Sequence, residues 1–147
     1  MPIMNDIYDQ LLVKKDDLEI KFNDGIQLER QRIAANKIDF EIPSQYKELL
    51  LLSNGFAVLD YNCEVYKLKE SIELSMINED RTINLRKLDI GTFWGDSIYI
   101  DQNNMISISF QGIDDPVDIN MTFKAFLQKN IDRDFEIFWD EEINVFA

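Results

Sequence analysis

The side chains in this sequence that could do chemistry are carboxylates. Its 147 residues include 28 Asp and Glu against 15 Lys and Arg, with no histidine and a single cysteine, Cys63. Without histidine there is no imidazole base near neutral pH and no Ser-His or Cys-His nucleophile pair. A zinc site is also disfavoured, because one thiol is too few. An enzyme built from this chain would have to run on paired carboxylates, Lys or Tyr. Asp96 and Asp101 stand five apart in a strand-like stretch, which sends them to opposite faces. The DQNN run at 101–104 is rich in oxygen donors but lacks the ligand spacing of a calcium loop. No glycine-rich phosphate loop occurs. No catalytic, cofactor-binding or metal-ligating set is therefore expected, and Cys63 reads as a small buried hydrophobe.

Recognition suits these carboxylates better than turnover does. The formal net charge of −13 argues against nucleic-acid or anionic-membrane binding, both of which need basic surface. It suits a protein partner with basic surface, towards which an acidic domain is steered. Asp114, Asp115 and Asp118 form one acidic cluster. Asp132, Asp134, Glu136, Asp140, Glu141 and Glu142 form a second, interleaved with Phe138 and Trp139. Such carboxylates could pair with Lys and Arg of a partner while the aromatics anchor the contact. Trp94, beside Phe93 and between two glycines, is a further partner-binding candidate. The plainer reading of all these residues is a solvated acidic surface with ordinary aromatic packing.

The elements that would position them follow from periodicity. Residues 1–22 read as a short helix running into an extended piece. Residues 24–37, DGIQLERQRIAANK, read as a helix in which Glu29 and Arg32 pair three apart. Pro43 disfavours helix at Ile42, so a new helix starts there, with Pro43 in the first turn or Ser44 as its cap. Tyr46, Leu49 and Leu50 give it a buried face. Asn54-Gly55 is expected to stop it in the left-handed conformation. FAVLDYNCEVYKL then reads as two strands about a turn at Asp60-Tyr61-Asn62, followed by an ambiguous stretch over 69–84. Alternating Ile98 and Ile100, then Ile106 and Ile108, flank a turn at 101–104. A turn at 114–116 and a last helix capped by Thr122, with Phe123, Phe126 and Leu127 on one face, complete the order. Most of 131–147 is too apolar for a free tail. The class expected is α+β, with N-terminal helices and a C-terminal helix around a mostly antiparallel sheet, all in one domain over 1–147.

Ile42, Pro43, Tyr46, Leu49, Leu50, Asn54, Gly55 and Phe56 resemble the core motif of the SUKH superfamily. That motif runs from an apolar residue and proline through an aromatic and a leucine-rich helix to an NG that opens a strand. Ile90-Gly91, then Gly95-Asp96 with its following strand, and Phe123, Phe126 and Leu127 are similar to the family's later landmarks. The resemblance covers about residues 24–130. One departure is that Glu29 lies well upstream of Pro43, whereas members have a glutamate-bearing helix ending just before the proline. The resemblance implies a helix-flanked sheet used as an interaction platform. In bacteria this typically means an immunity protein that neutralises a cognate polymorphic toxin by direct contact. A scaffold with several partners is the alternative, and a carboxylate enzyme is the less favoured one. The N-terminus lacks a basic start followed by an apolar stretch, no run is long enough to span a membrane, and Cys63 has no internal disulfide partner. The expected location is the cytoplasm. Oligomeric state has no signature in the sequence.

Overall fold

The computed structural model describes residues 4–38, 40–77, 86–110 and 115–136. Among the described residues, seven strands form one antiparallel sheet whose spatial order is the sequence order: β1 (Ile20–Phe22), β2 (Phe56–Val58), β3 (Cys63–Val65), β4 (Lys87–Phe93), β5 (Asp96–Asp101), β6 (Met105–Ser109) and β7 (Val117–Thr122). Among the described residues the helices are α1 (Met4–Val13), α2 (Lys15–Leu18), α3 (Leu28–Ala35), α4 (Ser44–Leu52), α5 (Leu68–Ile77) and α6 (Phe123–Asp132). The class is the α+β arrangement expected from the sequence. None of these helices is long and apolar enough to cross a membrane.

Period-two alternation sorts the sheet into two unlike faces. Paired positions place Phe56, Val58, Cys63, Val65, Phe93, Ile98, Ile100, Ile106 and Ile108 on one face, all buried. α6 packs on that face, with Phe126 5.0 Å from Phe93 by ring centroids, and Phe135, just beyond the helix, 6.1 Å from Phe93. α1 and α4 pack against α6 and each other. In α1, the three-and-four spacing of Met4, Ile7 and Leu11 buries all three. Each such fully buried side chain stabilises the fold by about 1.5–3 kcal/mol. Gln10 and Gln128 join α1 to α6 by reciprocal amide hydrogen bonds of 2.7 and 2.8 Å. The opposite face carries Glu64, Thr92, Ser97 and Ser109 in one row and Asp89, Tyr99, Ser107 and Asp118 in the next.

Several local expectations need correction. The helix expected over 24–37 begins only at Leu28. Gly25 lies so close to α4 that a Cβ there would meet the Leu51 carbonyl oxygen at 2.0 Å, and the Ile26 N–H donates to the Leu50 carbonyl at 2.8 Å. Residues 24–27 are therefore held against α4 and cannot coil. Ser44 does not cap α4. Pro43 takes the N-cap position, and Asn104 Oδ1 accepts from the Gln45 N–H at 2.8 Å. Nor does α4 end in a left-handed residue, because its C-cap Ser53 is extended and Gly55 turns left-handed only beyond it. The stretch over 69–84 is helical as far as Ile77, in α5. β7 was not anticipated at all. Thr122 does cap α6, accepting from the Ala125 N–H at 3.2 Å. Asp114, Phe138, Trp139, Asp140, Glu141 and Glu142 lie outside the described residues.

Candidate protein interface

One end of the sheet gathers exposed apolar side chains, carboxylates and left-handed backbone. The β2–β3 turn at 59–62 and the β4–β5 turn at 94–95 leave from this end, because Val58 pairs with Cys63 and Phe93 with Asp96. The β4–β5 connection is the two residues Trp94 and Gly95, with φ of 58° and 85°. Positive φ at both central positions is the type I′ hairpin geometry that matches strand twist, although a tryptophan is an unusual occupant of it. Trp94 is held there by its neighbours. Its N–H donates to the Asn62 carbonyl at 3.3 Å, and its ring meets Tyr61 edge-on at 5.4 Å. Trp94 is half-buried, and its indole Nε1 is buried without a hydrogen-bond partner.

α1, α2 and α6 end close to this place. The Leu59 N–H donates to the Glu19 carbonyl at 3.3 Å, which fastens the α2–β1 junction to the β2–β3 turn. Lys14, just past α1, forms an ion pair with Asp134, just past α6. Three exposed apolar side chains result, Leu12 at 42%, Val13 at 83% and Leu59 at 49% of full exposure. Close to them in the chain, or just beyond Asp134, stand Asp16, Asp17, Glu19, Asp60 and Glu136, all exposed, with Lys15 exposed among them; among the described residues no basic side chain pairs with any of the five acids. Glu19, Asn62, Trp94, Asp134 and Phe135 are five of the eight described non-glycine residues with positive φ. Left-handed backbone at such residues costs roughly 1–3 kcal/mol each and concentrates at functional sites.

Of the residues singled out from the sequence, Trp94, Asp134 and Glu136 come together at this end. Asp115 is exposed in the β6–β7 connection, which leaves from the same end about two strand spacings, or roughly 10 Å, from the Trp94 turn. Asp118 lies elsewhere. It sits on the polar face of the sheet, where Ser107 donates to it at 2.5 Å and Lys87 at 3.0 Å. Those two hydrogen bonds, Ser107 first, hold its carboxyl below the usual aspartate range. Leu12, Val13, Leu59 and the acids of α2 were missed. The signal was present in Leu12-Val13 beside Lys14-Lys15-Asp16-Asp17, an apolar pair at a helix end with charge on both sides of it.

Other groups are arranged for structure. Cys63 is buried, and burial pushes its thiol up to about 12, so it stays protonated and inert. Burial also raises Tyr46, whose hydroxyl donates to the Tyr66 carbonyl at 2.7 Å. The described residues bring together no group of three or more Cys, Asp or Glu side chains able to hold a metal ion. This end therefore presents exposed apolar side chains among an excess of carboxylates, with Lys15 exposed beside them. No family model matches this chain, and no curated protein matches it.

Proposed function

We propose that this protein is a SUKH-type immunity protein that neutralises a cognate toxin domain in the cytoplasm, by direct contact and without turnover. The observation that supports this most is the group of exposed carboxylates outside any ion pair at the end of the fold that exposes Leu12, Val13 and Leu59. Exposed apolar side chains among mostly acidic neighbours, with Lys15 the exposed basic exception, suit a protein partner carrying Lys and Arg around an apolar centre. The residues that resemble the SUKH motif support the fold away from this end. Tyr46, Leu49 and Leu50 are buried, and Asn54 Oδ1 accepts from the Leu68 N–H at 2.9 Å to start α5.

The test is co-expression with the toxin domain encoded beside this gene, with affinity measured by calorimetry. Wild type should restore growth and bind with one-to-one stoichiometry. A Val13→Asp, Leu59→Asp double variant, checked by circular dichroism for folding, should lose affinity by roughly 30-fold or more. Asp60→Lys with Glu136→Lys should weaken binding and flatten its salt dependence. Protection retained in full by both variants would sink this assignment of the surface. A scatter of weak partners with no toxin among them would favour a general scaffold instead.

A further inference from the structure

α3 stands at the end of the sheet opposite the Trp94 turn. β5 runs from that turn at Asp96 to the β5–β6 turn after Asp101, where Asn104 caps the start of α4. The other end of α4 leads through Asn54 into β2 at Phe56, the end of that strand away from Leu59. α4 therefore crosses the far end of the sheet, and α3 is fastened to it. The Ile26 N–H donates to the Leu50 carbonyl at 2.8 Å, and the Asn54 N–H donates to the Asp24 carbonyl at 3.1 Å. Gln31, the one buried side chain of α3, donates from Nε2 to the Lys47 carbonyl at 3.2 Å. Leu28, Glu29, Arg30, Arg32 and Ile33 of the helix are exposed, as is Lys37 just beyond it.

Arg30, Ile33 and Lys37 follow the three-and-four spacing of one helix side. Together they line a shallow hollow of about 570 Å³, whose one acidic side chain is Asp24. Ile33 is 61% exposed, and among the described residues neither Arg30 nor Lys37 forms an ion pair. Two cations to one carboxylate give the hollow a positive excess on a molecule of net charge −13. The acidic end has the complementary pattern: Val13 is 83% exposed, with Asp16 and Asp17 next along the chain and Lys15 the basic exception. We propose that a second copy of this chain occupies the hollow, Val13 of one copy resting on Ile33 of the next while Asp16 and Asp17 pair with Arg30 and Lys37. Such a contact is head-to-tail, so each copy keeps one open acidic end or one open hollow, and association runs on into short chains instead of closing as a symmetric dimer. Repulsion between copies of like net charge keeps it weak. It uses the acidic end already described but needs no toxin, and a toxin bound at that end would compete with it.

Two variants that each spoil one half of the contact provide the test, read by sedimentation velocity of the full chain. Arg30→Glu with Ile33→Asp removes the hollow and keeps the acidic end. Val13→Ser with Asp16→Asn and Asp17→Asn removes the acidic end and keeps the hollow. All five positions are exposed, and circular dichroism checks that both variants fold. In about 0.15 M salt, which screens the net repulsion beyond about 8 Å, the average mass of the wild type should climb past the monomer as concentration rises from about 0.05 to about 1 mM. Each variant alone should stay monomeric, and an equimolar mixture of the two should form a dimer and stop there, because one working half remains on each. Monomeric wild type at about 1 mM, association by either folded variant alone, or a mixture that stays monomeric would each overturn the proposal. No toxin enters the experiment, so its failure leaves the toxin reading standing.

Discussion

Asp118 and Glu64 share the polar face of the sheet, and their surroundings push them in opposite directions. Asp118 is stabilised as a carboxylate by Ser107 and Lys87, whereas burial, with Glu70 adding to it, raises Glu64. The linkage signs therefore differ. Asp118, depressed in the folded state, contributes stability that is fully present above the ordinary value of 3.8 and is lost as pH falls through the lower folded value. Glu64 destabilises the fold while charged, above its raised folded value, and this effect is gone below its ordinary 4.5. Asp118→Asn should accordingly be less stable than wild type at pH 7, with the gap closing in acid. Glu64→Gln should be slightly more stable at pH 7 and converge with wild type in acid. Urea midpoints measured across the pH range check both, and parallel curves for either variant would contradict its assignment. Asn104 is the other informative residue. Its side chain caps α4 at Gln45 and also donates to Ser44 Oγ at 3.1 Å, so Asn104→Ala should cost about 1–2 kcal/mol in denaturant unfolding.

The elements show why part of the fold was legible and part was not. Where a segment's own periodicity decides its structure, the sequence speaks plainly. Ile98 with Ile100, Ile106 with Ile108, and Phe123 with Phe126 and Leu127 behave as their spacing requires. Helix starts are another matter, because several are finished by side chains from distant elements. Asn104 caps α4, Asn54 caps α5, and Gln45 Oε1 accepts from the Lys124 N–H at the start of α6. No local capping rule sees such partners. β7 was hidden by its own composition. Val117, Ile119 and Met121 alternate correctly, but Asp118 and a left-handed Asn120 are poor strand residues. The acidic end was half-visible, with Trp94, Asp134 and Glu136 picked out individually, yet their meeting depends on three separate chain turns. Two glycines separate backbone freedom from space. Gly95, at φ +85°, has nothing within 4 Å of an added Cβ, whereas at Gly55, φ +77°, such a Cβ would stand 2.5 Å from the Val65 carbonyl oxygen. Gly95→Ala should therefore cost only the left-handed strain, about 1–2 kcal/mol, and Gly55→Ala distinctly more. Equal unfolding midpoints for the two would refute this.

At the scale of the whole molecule, a net charge of −13 repels itself, and compact structure concentrates that repulsion. Raising salt from about 0.01 M to about 0.15 M shortens the screening length from about 30 Å to about 8 Å. The thermal unfolding temperature should therefore rise over that interval, while a complex with a basic partner should weaken. A melting temperature indifferent to salt would mean that the described ion pairs already balance the surface. The clasp between Gln10 and Gln128, 118 residues apart, has a different consequence, for the protein's birth on the ribosome. Each strand of the sheet pairs with the strand made just before it, so the nascent chain can zip up hairpin by hairpin as it emerges. α1 leaves the exit tunnel ahead of α4 and can meet it early, but α6 is synthesised long afterwards. Throughout that interval the Met4, Ile7 and Leu11 stripe is only partly covered, which makes α1 a segment that a holding chaperone would grip during synthesis.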